Sequence, residues 1–252
     1  MPVTTGSGCY RGTVVNAVGI LENAPTGIED VPDASAAWYL DIVRFAATTP
    51  EWFQSFAGLF TEGAIVLLLG FMLLGWWRAR RLPARSMAFA LLAPVGMVAA
   101  YLLSEVIKVL YQVERPCRTL GDVVTIAECP PPGDWSFPSN HSVIAGAAAL
   151  GILMAWRLLG TVAVVVALAA AASRVFVGAH YPHDAIVGIV LGALVAAVVV
   201  LLLVRPVTKL VGRIREHDKL GALLATDAVR YPVREQGGDP FPPQEQVFTP
   251  RR

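Results

Sequence analysis

Five stretches of the chain run almost without interruption through apolar residues, at roughly 63–77, 87–106, 142–159, 161–177 and 185–204. Each approaches or reaches the about 20 apolar residues that cross a bilayer as a helix. Strand-like alternation, which a membrane barrel needs, is absent throughout. The pattern therefore predicts an all-α integral membrane protein built as a bundle of about five transmembrane helices. The third and fourth runs meet near Gly160, which predicts a tight turn there and an antiparallel hairpin with Trp156 and Arg157 at its interfacial end. Pro94 and Gly96 in the second run read as a kink or a close helix packing. Ahead of the first run, Trp38, Tyr39, Phe45, Trp52, Phe53 and Phe56 are interspersed with polar residues. That mixture predicts one or two amphipathic helices lying in the membrane interface, broken at Thr49–Pro50. The expected organisation is an outer N-terminal segment (1–34), a membrane domain with its interfacial helices (35–210) and a basic, flexible tail (211–252). Within that tail, the stretch from about Gly221 is rich in Pro, Gly and Gln and reads as mobile. No basic stretch followed by an apolar one opens the chain, so no signal peptide is expected.

Charge orients the bundle. Arg78, Arg80, Arg81 and Arg85 follow the first run, Arg157 lies in the hairpin turn, and Arg205, Lys209, Arg213, Arg215 and Lys219 follow the last. With five passes all three groups fall on one side, which short-loop charge bias makes cytoplasmic. The loops around 107–141 and 175–184 are then outside, as is the acidic N-terminal region with Glu22, Glu29 and Asp30. Composition agrees: of 252 residues, 55% are hydrophobic and only 15% charged, against about 25% charged in a soluble domain. A net charge of +1 provides no basic field for nucleic acid, and so much apolar sequence excludes general disorder. Three cysteines are too few for a disulfide scaffold or a zinc site. Cys117 and Cys129 share one outer loop, where a disulfide and two free thiols are both open; Cys9 would remain unpaired.

Three polar clusters interrupt the apolar pattern, and all lie at the outer face on this topology. Lys108 and Arg115 close the second span seven positions apart, on nearly one helical face and about 10 Å apart along the axis if the helix persists. Taken alone they are a snorkelling pair. Phe137-Pro138-Ser139-Asn140-His141 opens the third span, where a Ser or Asn cap beside free first-turn amides makes an anion site and His141 is placed to give a proton. Ser173-Arg174 and His180–Asp184 bridge the fourth and fifth spans. Arg174 is costly in an apolar helix without an anionic partner. His180 and Asp184 are spaced for the carboxylate to hold one imidazole nitrogen and leave the other free to attack, with His183 a rival for that contact.

Together, Lys108–Pro116, Pro138–His141 and Ser173–Asp184 resemble the three motifs of the type 2 phosphatidic acid phosphatase superfamily in its membrane-bound bacterial branch. The resemblance covers about residues 60–205 and implies the helical core this family shares with haloperoxidases. It implies that His180 is a nucleophile forming a phosphohistidine, that Asp184 holds its imidazole, and that His141 protonates the leaving oxygen and then activates water. Lys108, Arg115 and Arg174, with Ser139 and the backbone N–H of Asn140, would hold the phosphate oxygens, with no metal and no cofactor. Asn140 stands where the commonest pattern has glycine, a difference expected to bear on the substrate more than on the chemistry. Within the superfamily the segment Gly178-x-His180-Tyr181-Pro182 and the amphipathic N-terminal region are similar to the short undecaprenyl-diphosphate phosphatases. The implied partners are a lipid-phosphate substrate and membrane lipids. Phosphatidic acid or phosphatidylglycerol phosphate, a phosphotransferase reaction and a non-catalytic lipid binder stand as alternatives.

Overall fold

A computed structural model of the chain describes residues 31–121 and 123–226. All regular structure among these residues is helical: α1 (Asp33–Thr48), α2 (Glu51–Ala79), α3 (Ala84–Tyr111), α4 (Pro116–Thr119), α5 (Asn140–Ala155), α6 (Arg157–Phe176), α7 (Pro182–Arg215) and α8 (Asp218–Leu224). Among them, α2, α3, α6 and α7 are long and apolar enough to cross a membrane. The fifth apolar helix, α5, has only 16 residues and spans about 24 Å. It is the most enclosed, with α2, α3, α6 and α7 packed around it.

Between lipid-solvated helices the hydrophobic effect gives little net attraction, so the bundle is held by close packing of small residues. The α5 sequence Ala145-Gly-Ala-Ala-Ala149 is the clearest case, four of these residues being fully or nearly fully buried alanines. Gly146 lies against the Ile189 carbonyl of α7, and Gly192 of α7 lies against the Val143 carbonyl of α5, with no room for a Cβ at either. Gly96 of α3 meets Ala196 of α7, where a Cβ would stand 3.0 Å from the Ala196 Cα. The apolar residues turned outward, such as Leu59, Val66, Leu73, Val165, Leu194 and Leu201, are exposed to the surroundings of the bundle, which suits lipid.

Several elements differ from their sequence expectation. The α5–α6 break falls at Trp156, whose backbone is extended (φ −153°, ψ 102°), and not at Gly160. Gly160 instead sits in the first turn of α6 against the Leu153 backbone, so its missing side chain lets the two helices close up at the hairpin end. The chain does break at Thr49–Pro50, but only α1 is a separate amphipathic helix. Trp52, Phe53 and Phe56 belong to the start of α2, which continues straight into the membrane because no breaker separates them from the apolar run. The sequence places a mobile tail from about Gly221, but α8 extends to Leu224 and folds back on the bundle. Arg215 donates to the Leu224 carbonyl (2.9 Å) and Arg80 to the Ala222 carbonyl (2.8 Å). Expectations for the N-terminal segment before residue 31, including Cys9, and for residues 227–252 lie outside the described residues.

The three basic groups gather at one end. Arg78 stacks on the Trp156 ring at 4.6 Å, and Arg215 reaches the Ala79 carbonyl (3.4 Å). The opposite end is formed by the C-terminus of α3, α4, the N-terminus of α5, the C-terminus of α6 and the N-terminus of α7, with α1 alongside.

Candidate active site

Lys108 and Arg115 meet, though not as the helical pair expected. α3 ends at Tyr111 because Gln112 is left-handed (φ 47°), and Arg115 precedes Pro116 in extended backbone. The turn folds Arg115 back over the helix end, and both cations converge on the Asp134 carboxylate, with Oδ1 at 3.6 Å from Lys108 Nζ and 2.9 Å from Arg115 Nη2. Burial works against ionisation of Asp134, but the hydrogen bond and charge of Arg115, with Lys108 behind them, hold its carboxyl below the usual range. Both cations are buried. A disulfide joins Cys117 in α4 to Cys129 and ties down the loop that carries Asp134.

His180 sits in a tight turn between α6 and α7. Gly178 makes that turn with φ +83°, and a Cβ there would run into Thr125. Tyr39 of α1 donates to the Gly178 carbonyl (2.9 Å), so α1 clamps the turn from above. His180 is 1% exposed, and burial, aided by the Arg115 charge and opposed by Asp184, pushes its imidazole down to about 4. The ring is therefore neutral at ordinary pH. Nδ1 faces Asp184 Oδ2 at 3.6 Å, beyond hydrogen-bond reach, with the Ser136 hydroxyl at 3.4 Å from the same nitrogen. Ser136 donates to Asp184 Oδ2 (2.5 Å), and the Tyr181 N–H donates to the same oxygen (2.9 Å), making Asp184 also the cap of α7. The other ring nitrogen, Nε2, lies 3.2 Å from Arg115 Nη1. His183, the rival, approaches the second oxygen of Asp184 at 3.1 Å, while its Nδ1 is 2.7 Å from Ser35 Oγ of α1.

At the start of α5, Ser139 occupies the cap position, but its hydroxyl makes no capping bond and is buried without a partner. The Asn140 side chain turns away toward α3, accepting from Ser104 (2.7 Å) and donating to Glu105 (2.6 Å). Its backbone N–H, at the first helical position, has no intrahelical acceptor. His141 Nε2 lies 3.0 Å from Glu62 Oε2, and the other oxygen of Glu62 accepts from Arg174 Nη1 (3.2 Å). Arg174 also donates to Thr61 Oγ1 (3.3 Å), and its Nε is buried without a partner.

The fold thus gathers Lys108, Arg115 and His180 around Asp134, and His141 and Arg174 around Glu62, with Ser139 and Asp184 joined by the Ser139 N–H to Asp184 carbonyl bond (3.2 Å). Sequence reading missed Asp134, Ser136 and Glu62. The signal for Glu62 was its place at the head of an apolar run, where an acid calls for a partner; Asp134 and Ser136 sit in a Pro- and Gly-rich loop that offers none. Among the described residues no group of three His, Cys, Asp or Glu side chains is placed to hold a metal ion.

Comparison with known proteins fits this arrangement. Residues 89–207 match the PAP2 superfamily. A decaprenylphosphoryl-5-phosphoribose phosphatase of Mycobacterium tuberculosis is 36% identical over 132 residues, or 52% of this chain and 70% of that protein. The chain belongs to the PAP2 superfamily. A second relative, an undecaprenyl-diphosphatase of Bacillus subtilis, is 32% identical over 169 residues, covering 62% of this chain and 79% of its own. In three dimensions, the PAP2 fold of this chain resembles a transmembrane PAP2 type phosphatidylglycerolphosphate phosphatase from Bacillus subtilis, with a TM-score of 0.52 and 21% identity over 67% of this chain and 85% of the other.

Proposed function

We propose that this membrane protein removes the terminal phosphate of a polyprenyl lipid through a phosphohistidine on His180. The observation that carries the reading is the environment of His180: a buried neutral ring with one nitrogen toward Asp184 and the other beside the Arg115 guanidinium. A phosphate oxygen bound by Arg115 would bring phosphorus to Nε2. The N–P bond forms as the P–O bond to the leaving group breaks, and its electron pair stays on the leaving oxygen, which takes a proton from His141. His141 then withdraws a proton from the water that hydrolyses the N–P bond. Lys108, Arg115, Arg174, the Ser139 hydroxyl and the Asn140 N–H stabilise the charge on the equatorial oxygens. Membership of the family and the names of the two relatives support a polyprenyl-linked substrate; undecaprenyl diphosphate and a phosphate ester on a lipid-linked sugar both fall in that class.

Purified protein should release phosphate from polyprenyl phosphates with EDTA present, and vanadate, which adopts five-coordinate geometry, should inhibit in competition with substrate. Strict dependence on added Mg²⁺ would overturn the mechanism.

The site is read as facing outward, with residues 35–210 as the catalytic membrane domain and residues 211–252 on the cytoplasmic side. The arginines gathered at the opposite end and the disulfide beside the site support this orientation. With native cysteines replaced, a cysteine placed at Val124 should react with an impermeant thiol reagent in intact cells, and one at Ala84 only after lysis. The reverse pattern would place the site inside.

A further inference from the structure

We propose that Glu62 determines which leaving group the site accepts, favouring a phosphate monoester that departs as a neutral hydroxyl over a diphosphate that departs as an anionic lipid phosphate. The inference deepens the proposed function and rests on its reading of His141 as the acid. The ring nitrogen of His141 that meets Glu62 is Nε2, 3.0 Å from Oε2. A leaving oxygen must approach a ring nitrogen of His141 to take its proton, and Nε2 is the atom at the tip of that side chain. The Glu62 carboxylate therefore stands where the leaving group arrives.

The carboxylate is free to yield that position without leaving the neighbourhood. Its side chain is 66% exposed, while its second oxygen is paired with Arg174 at 3.2 Å. The adjacent Thr61 also engages Arg174, and α2 fixes the backbone of both residues. Once the P–O bond of a monoester breaks and the oxygen takes the His141 proton, the product is a hydroxyl that can donate to Glu62. From a diphosphate, the departing group is a phosphate ester that stays anionic, and its charge meets that of the carboxylate at close range. The acid side of the reaction agrees. An alkoxide is a poor leaving group and depends on a proton from His141, whereas a phosphate leaves readily without one. The cations tell the same story, because Lys108 and Arg115 already share Asp134 and Arg174 is paired with Glu62, so little positive charge is left uncompensated for a second phosphate.

Farnesyl phosphate and farnesyl diphosphate carry one tail and differ only in the leaving group, which makes them the test pair. The wild-type enzyme should prefer the monophosphate in kcat/KM by roughly tenfold or more. Glu62→Gln should raise the diphosphate-to-monophosphate ratio by about the same factor, and Glu62→Asp, which keeps the charge, should retain the wild-type preference. A wild-type enzyme that prefers the diphosphate overturns the proposal without any variant. Equal loss on both substrates in Glu62→Gln does so too, since it would make the residue a support of the fold or of His141 alone. The underlying reading fails separately: full monophosphate turnover by His141→Ala would remove the acid and with it both readings. Dependence on His141 combined with an unchanged ratio in Glu62→Gln overturns this proposal only.

Discussion

A His180→Ala enzyme should hydrolyse lipid phosphates at least about 10⁵-fold more slowly than wild type, because the atom that forms the covalent intermediate is gone. The substitution empties a buried position, so the fold must be checked alongside: an unchanged melting temperature in detergent separates lost chemistry from lost structure. The direct readout is the phosphoenzyme. Wild-type protein mixed with ³²P-labelled substrate and quenched should carry label that survives alkali and is released by acid, as expected of a phosphoramidate, and His180→Ala should carry none. Label persisting in the variant would move the nucleophile elsewhere. The pH dependence follows from the same burial. With its imidazole held down to about 4, His180 is neutral and nucleophilic above that value and protonated below it. The phosphorylation rate should therefore fall on the acid side with a midpoint near 4 and not near the 6.5 of an ordinary histidine.

The second large effect is expected at Asp184. Asp184→Asn keeps the shape and an amide oxygen that can still accept from the Tyr181 N–H, so the cap of α7 survives. What it loses is the negative charge beside the ring that becomes cationic as the N–P bond forms. A carboxylate in the corresponding position behind a catalytic histidine is worth roughly 10⁴-fold in kcat, and a loss of about 10³ to 10⁴ is expected here. Ser136 stands between the two groups, 2.5 Å from the carboxylate and 3.4 Å from the ring. It hands the carboxylate's orientation to the imidazole in the resting geometry. The split between steps tests the assignment: phosphorylation of His180 should slow while substrate binding holds. An Asp184→Asn enzyme with wild-type kcat would show that Asp184 serves only as a helix cap.

Much of the fold was legible because a bilayer imposes a simple rule on sequence. Each spanning segment must be apolar and must satisfy its own backbone, so helices announce themselves as uninterrupted apolar runs. The candidate site was legible for a related reason. Charges in such segments are costly, so Lys108, Arg174, His180 and Asp184 stand out from their surroundings. The ends of elements were less readable. Gly160 looked like a turn, yet a glycine in a membrane helix can equally mark close approach, and only the packing against Leu153 distinguishes the two. Seven-residue spacing put Lys108 and Arg115 on one helical face, but the left-handed Gln112 ends α3 between them.

The sequence by itself determined the all-helical membrane architecture, the concentration of basic residues at one end and the histidines, aspartate and cations at the other, since each is a local property of composition and spacing. Tertiary structure alone decided which anions answer those cations. Glu62 is 112 residues from Arg174 and 79 from His141, and both partnerships depend on how α2 packs beside α5 and α6. Asp134 and Ser136 come from a loop without periodicity, placed by α4, the Cys117–Cys129 bond and the Ser136 N–H to Val113 carbonyl bond. Apolar patterning is written along the chain because each spanning helix must be apolar whether it faces lipid or another helix. The pairing of charges is not, because an ion pair is worth most where burial removes water, and that burial exists only after the helices have come together.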